Sequence, residues 1–178
     1  MEQPNERDWV RRARTGDRVG FTELVKCYWD RIRRWLFGLT HHAHLAEDLA
    51  QETFVKAWVG LAGLEKDEHF RAWLFRIARN LALDSEKRPR VVIDLRAPDE
   101  MPGKCEEPLA ALVQDETRQR LREECERLPE PYRAAYLLWT QEEMPYAEIA
   151  QALAVSEVTA RWRVCKARQA LLARLQAD

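Results

Sequence analysis

Glycine is scarce in this chain, 6 in 178 residues, and apolar residues rarely alternate with polar ones. Both absences argue against a sheet protein, whose strands repeat with a period of two and whose turns draw on glycine. None of the four cysteines, Cys27, Cys105, Cys125 and Cys165, stands in a CxxC pair. That removes the spacing of a zinc ribbon or a redox motif. No apolar run approaches the 18 residues of a membrane span, and the start, MEQPNERDW, does not have the form of a secretory signal. The expectation is a cytoplasmic protein with reduced thiols and no membrane insertion. Charge of one sign is missing too: the formal net charge is -1. A dedicated non-specific DNA binder would be more basic.

What is present is material for helices. Apolar residues make up 46% of the chain, enough for packed cores, and charged residues 33%, which fits long amphipathic helices. The charge is unevenly placed. Residues 1–90 hold 17 Lys and Arg against 14 Asp and Glu, residues 91–116 hold 2 against 7, and residues 117–178 hold 10 against 9. The acidic middle reads as a solvated linker, or as a tether that keeps two DNA-binding lobes apart and mimics nucleic acid.

Between Asp17 and Leu39 the residues Phe21, Leu24, Val25, Tyr28, Trp29, Ile32, Trp35 and Leu36 recur in steps of three, one and four, which marks one face of a helix. A turn follows through His41, His42 and His44. This HHAH cluster has no Cys or carboxylate at ligand spacing on a firm scaffold, so no metal is expected. Leu45, Leu49, Phe54, Ala57, Trp58 and Leu61 mark a second long helix. Phe70, Trp73, Leu74, Ile77, Ala78 and Leu81 mark a third, with Asp67 as its N-cap and Pro89 as its stop. With a short helix over residues 8–15 these make a helical bundle, a domain over residues 1–90. Residues 91–107, with Pro98, Pro102 and Gly103, show no sustained period and read as a flexible linker. A second domain spans 108–178. It holds a helix from Pro108 to about Arg127, one over 131–141, one opened by Pro145, and a last one capped by Ser156 after the turn Ala154–Ser156. The expected class is all-α: two small helical domains joined by an acidic linker.

Three stretches carry candidate function. The C-terminal helix, three-residue turn and helix have the spacing of a helix-turn-helix, whose second helix enters the major groove. On that reading Thr159, Arg161, Trp162, Arg163 and Lys166 face DNA; otherwise the pair is a hairpin with a solvated basic face. The middle helix offers Arg76, Arg79, Asn80, Lys87 and Arg88 beside Trp73. Its cations can track a phosphate backbone while Asn80 reads a base edge, and the polar loop before it can cradle an unstacked base. The alternative is an ordinary amphipathic helix. HLAEDLAQETFVKAW carries Glu47, Asp48, Gln51 and Glu52 within two turns, either a solvated face or a dock for a basic partner. No facing His or nucleophile completes a catalytic set.

These stretches are similar to hallmark segments of a known family. AEDLAQETFVKAW, FRAWLFRIARNLALD, LPEPYRAAYLL and YAEIAQALAVSEVTARWRVCKARQAL resemble, in order and spacing, those of bacterial extracytoplasmic-function sigma factors, and GDRVGFTELVKCYWDRI resembles their opening helix. The resemblance covers roughly residues 8–175. It implies a domain in the second conserved sigma region, a linker and a domain in the fourth. It also implies no enzyme activity, no cofactor and no small-molecule substrate, with core RNA polymerase, promoter DNA and an anti-sigma factor as partners. It puts the polymerase contact on Asp48, Gln51 and Glu52. It puts the −10 contact on the loop of Leu64, Glu65, Lys66, Asp67, Glu68 and His69 and on the helix bearing Arg76, Asn80 and Asp84. The −35 contact falls on Thr159, Arg161, Arg163 and Lys166. Three positions depart from the family pattern: Ala154 stands where Gly is frequent, Trp162 where a small hydroxyl residue contacts phosphate, and Cys165 where a polar residue is usual. Val158, Trp162, Cys165 and Leu172 form a second apolar stripe, suited to an anti-sigma factor or to the other domain. The competing function is a conventional helix-turn-helix regulator that binds duplex DNA without polymerase.

Overall fold

The computed structural model describes residues 6–85 and 115–176, which belong to two compact units divided between Lys87 and Arg88. All regular structure among the described residues is helical. The expected linker 91–107, the expected start at Pro108 and the stop at Pro89 lie outside the described residues.

In the first unit α1 (Glu6–Arg14) and α2 (Arg18–Thr40) are joined by a tight reversal at Gly16, whose φ of +88° suits glycine. Asp17 caps α2: its carboxylate accepts from the Val19 N–H at 2.8 Å and from Arg12 Nε at 2.7 Å. These two donors, the backbone one first, hold that carboxyl below the usual carboxylate range. Gly20 lets the two helices touch, because a Cβ there would stand 3.0 Å from the Trp9 carbonyl oxygen and from Arg12 Cβ.

α2 is the central element. Leu24, Tyr28, Ile32, Trp35, Leu36 and Leu39 are buried at helical spacing. α3 (Ala43–Gly60) runs back antiparallel to it, with Phe21 against Trp58 at 4.9 Å and Trp29 stacked on Phe54 at 5.9 Å. α4 (Phe70–Ser85) runs alongside, with Tyr28 against Phe70 and Trp35 against Phe75. Tyr28, Trp35, Phe70 and Phe75 are fully buried, and burial of each such side chain contributes about 1.5–3 kcal/mol. The Tyr28 hydroxyl, inside this aromatic seam, donates to Glu6 Oε1 at 2.7 Å and so ties α1 to the core. Burial, then Glu6, pushes this phenol far above its usual range.

The histidine cluster is the α2–α3 junction. His41 takes the left-handed conformation at φ 55° and its N–H bonds to the Phe37 carbonyl at 2.8 Å; His42 Nδ1 accepts from the Leu45 N–H at 3.2 Å and caps α3. No group of three potential metal ligands occurs among the described residues.

Between α3 and α4 lie two 3-10 turns, Leu61–Gly63 and Asp67–His69. The second runs directly into α4, with Lys66 at its cap position and no side-chain cap bond. Asp67 is therefore inside the first turn and is not the expected N-cap. Its carboxylate is committed elsewhere, to Arg14 of α1 at 2.6 Å.

The second unit holds α5 (Asp115–Glu126), α6 (Glu130–Gln141), α7 (Tyr146–Leu153) and α8 (Glu157–Gln176). Buried alanines, among them Ala134, Ala135, Ala150, Ala160 and Ala167, let these short helices approach closely. Arg133 is buried and its Nη1 donates to the carbonyls of Glu126 at 2.8 Å and Leu128 at 2.9 Å, which closes the end of α5 with a cation. Arg174 reaches from α8 to Glu124 Oε2 at 3.3 Å. α7 ends on Ala154 in the left-handed region, φ 51° and ψ 51°, and the Val155 N–H bonds to the Ala150 carbonyl at 3.0 Å. Ser156 Oγ then accepts from the Thr159 N–H at 3.1 Å and opens α8, as its sequence position predicts.

Candidate nucleic-acid and polymerase interfaces

The first surface is the outer face of α3. Ala46, Leu49, Ala50, Thr53, Phe54 and Ala57 turn inward, and Thr53 Oγ1 satisfies itself on the Leu49 carbonyl at 2.7 Å. That leaves Glu47, Asp48, Gln51 and Glu52 exposed. Glu52 meets Lys56 at 3.2 Å, but both side chains are about half exposed, so the pair is weak and the carboxylate stays available. The same face continues with Val55, 64% exposed, and Val59, 78% exposed. Positions 48, 52, 55 and 59 fall on one helical stripe, acidic at its start and apolar at its end. The spacing was readable in the sequence; that the two valines point outward was not. Trp58, expected in the apolar stripe, stands at the rim, edge-on to Phe21 and 37% exposed.

The second surface joins the Leu64–His69 loop to α4. Leu64 is buried, so it anchors the loop and does not face a ligand. Glu65, Lys66 and Glu68 are exposed and His69 is half-buried. Asp67 is largely covered; besides Arg14 it has Arg11 Nε at 3.8 Å, so its charge is spent within the protein. On α4, Arg76, Asn80 and Asp84 are exposed and four residues apart, which puts them on one face, while Arg79 is half-buried beside that line. Lys87 and Arg88 lie outside the described residues. Trp73 is half-buried and covers the end of α3, where a Cβ on Gly60 would meet its ring at 3.3 Å.

The third surface is the start of α8. Lys166 and Val158 are exposed; Thr159, Arg161 and Arg163 are half-buried. Thr159 shares a hydroxyl contact of 2.8 Å with Ser156. The Arg161 guanidinium lies 5.1 Å over the Tyr146 ring of α7 and 3.5 Å from Glu157 Oε1, two neighbours that orient it. Tyr146 was placed by the sequence only as an apolar position of its helix.

Trp162 corrects an expectation. It does not face outward with Lys166: it is 8% exposed and packs on Tyr132 of α6, ring centres 5.6 Å apart. Cys165 is buried as well, so the stripe supposed to meet another protein is the seam between α8 and α6; only Val158 remains open, and Leu172 is half-buried. An indole fills this seam with apolar area, at the cost of a buried Nε1–H that meets no acceptor among the described residues. Arg163 approaches the same place and opposes the rise that burial imposes on the Tyr132 phenol.

The chain is similar to known proteins along most of its length. The family model for Sigma-70 region 2 matches residues 24–90, and that for Sigma-70 region 4 matches residues 118–171. The RNA polymerase sigma-H factor of Pseudomonas aeruginosa is 31% identical, over 99% of this chain and 96% of its own length. The ECF RNA polymerase sigma factor SigW of Bacillus subtilis is 28% identical, over 94% and 95%. Among solved structures, CnrH in complex with the cytosolic domain of CnrY superposes with a TM-score of 0.73 at 25% identity, covering 97% of this chain and 98% of that one. RpoE of Bartonella quintana, in complex with the anti-sigma factor NepR, gives 0.66 at 26% identity, covering 89% and 98%.

Proposed function

The chain belongs to the sigma-70 family of RNA polymerase sigma factors, in its extracytoplasmic-function branch, and from that premise we propose how its surfaces divide the work. The family is one of transcription initiation factors, not enzymes. The chain binds core RNA polymerase through the α3 face of Asp48, Gln51 and Glu52. It meets the −10 element with the loop residues Glu65, Lys66 and His69 and with the α4 face of Arg76, Asn80 and Asp84. Arg79, Lys87 and Arg88 follow the phosphates. The −35 element is met by Thr159, Arg161 and Lys166, while Arg163, with its Nε and Nη1 buried beside Tyr132, supports the helix from beneath. An anti-sigma factor holds the chain inactive until it is needed, and the whole cycle runs in the cytoplasm.

The observation that carries this reading is the combination of two DNA-suited surfaces of different kinds. A loop followed by a cation-bearing helix suits unstacked bases. A helix-turn-helix suits a duplex groove. A conventional duplex-binding regulator has no use for the first, and the acidic-to-apolar α3 face is a docking surface that a groove reader does not need. Among the described residues no helix is long and apolar enough to cross a membrane, which is compatible with a polymerase subunit.

Mixing the purified protein with core polymerase and promoter templates tests the reading. Initiation that depends on both the protein and a specific −10/−35 pair is expected. Tight, sequence-specific duplex binding by the protein alone, indifferent to polymerase, would favour the conventional regulator.

A further inference from the structure

We propose that α1 is a working part of the −10 reader: Arg14, backed by Arg11, is a positioning residue that holds the Leu64–His69 loop in its reading geometry through Asp67. The inference rests on the reading that this loop meets the −10 element. The region 2 match begins at residue 24, so α1 and both arginines lie ahead of it.

The loop has little of its own to keep it in place. Its two 3-10 turns carry no side-chain cap bond; the first closes on the Leu64 N–H to Leu61 carbonyl bond and the second on the His69 N–H to Lys66 carbonyl bond, both 3.0 Å, with the Phe70 N–H on the Asp67 carbonyl where the turn enters α4. Leu61 and Leu64 pin the first turn from inside. The second turn, which presents Lys66, Glu68 and His69, is held by Asp67. That carboxylate takes Arg14 Nη1 at 2.6 Å across 53 residues of sequence, with side-chain exposures of 20% for Asp67 and 32% for Arg14. A partly buried, charge-assisted bond of this kind resists competition from water and salt.

The other end of the clasp is firm. Val10 and Ala13 are buried, Gly20 brings α2 against α1, and Glu6 accepts from the buried Tyr28 hydroxyl. Arg14 thus transmits the position of the α2 core to the loop. The pairing also has an electrostatic consequence. A carboxylate on a surface meant for DNA repels phosphate; here two arginines neutralise it and turn it away, while Lys66 stays exposed.

The test uses the full chain assembled with core polymerase and a fork promoter whose −10 element is single-stranded. Affinity is measured for the matched element and for one with a single base changed. Arg14→Ala and Asp67→Asn are each expected to weaken matched binding about tenfold, because the reading-competent fraction of the loop falls by that factor. Discrimination against the changed base should shrink with it, while binding to a −35 duplex and the melting temperature stay near wild type. The exchange Arg14→Asp with Asp67→Arg should restore affinity and discrimination to within about threefold, since the ion pair is re-formed. A purely structural role would lower the melting temperature and leave discrimination untouched, and that result overturns the inference. Unchanged discrimination in both single variants, with an active wild type, also overturns it and leaves the functional reading standing. A wild-type holoenzyme that does not bind the fork overturns both.

Discussion

Replacing Ala154 with glycine should make the second unit more stable. Ala154 sits at φ 51° and ψ 51° and is exposed, so its methyl group gains little from burial while it strains its own backbone. The left-handed conformation costs an L-residue about 1–2 kcal/mol, through the clash of Cβ with the following carbonyl. Glycine removes that clash but adds freedom to the unfolded chain, which takes back about 0.4–1 kcal/mol. The net gain is about 0.5–1 kcal/mol, or roughly 2–8 °C in the melting temperature of a unit this small. The Val155 N–H to Ala150 carbonyl bond should survive, because glycine adopts the same geometry without strain. Calorimetry of the full chain measures the shift, and amide exchange in α7 and α8 assigns the transition. Ala154→Val supplies the opposite sign, since a β-branched residue suits the left-handed region worse. A melting temperature that stays level or falls for Ala154→Gly would refute the argument, for it would mean that the methyl group contributes packing.

Four further outcomes follow from the geometry. Gly20→Ala should destabilise the first unit by about 1–3 kcal/mol although alanine favours helices, because the new Cβ would press on the Trp9 carbonyl and on Arg12; a stabilised variant in urea melts would deny the close approach. Reversing Asp48 and Glu52 to lysine should weaken capture by core polymerase in a pull-down while circular dichroism stays unchanged; full capture removes α3 from the interface. Lys166→Ala should weaken −35 duplex binding by the holoenzyme alike for all sequences and flatten its salt dependence by about one unit of slope, and an unchanged slope would remove that phosphate contact. Burial pushes the Cys125 thiol from 9.0 up to about 11. Between those values the unfolded chain binds fewer protons than the folded one, so stability falls as pH rises. Cys125→Ala should flatten that part of the profile, and a fall that persists undiminished would assign it to other groups.

The helices were legible because their apolar periods are nearly undisturbed. Leu24, Tyr28, Ile32 and Trp35, or Phe70, Leu74, Ala78 and Leu81, admit one face and one partner. The turn at Ala154–Ser156 was legible from the Ser156 cap. What stayed hidden depends on contacts across the chain. Asp67 has the chemistry of an N-cap, and only the fold shows that Arg14, 53 residues earlier, claims its carboxylate. Trp162 stands between two arginines, and sequence cannot tell which way an amphipathic side chain turns until Tyr132 is known to lie beneath it. Val55 and Val59 look like core on hydropathy, but their stripe begins at Asp48 and faces out. His42 looked like one of three equal histidines, and its role as a cap needed the geometry of the turn.

The burial of Trp162 also bears on how this chain can diverge. A side chain that fills the seam under α8 is judged first by whether the unit folds, and only afterwards by what it does to DNA. Substitutions there are removed before any promoter preference is tried, unless Tyr132 changes with it. Change at the start of α8 is therefore left to exposed and half-buried positions such as Thr159, Arg161 and Lys166, which the fold does not need to the same degree. Descendants of this chain should keep an aromatic pair at 132 and 162 as a lineage mark while their promoters move apart.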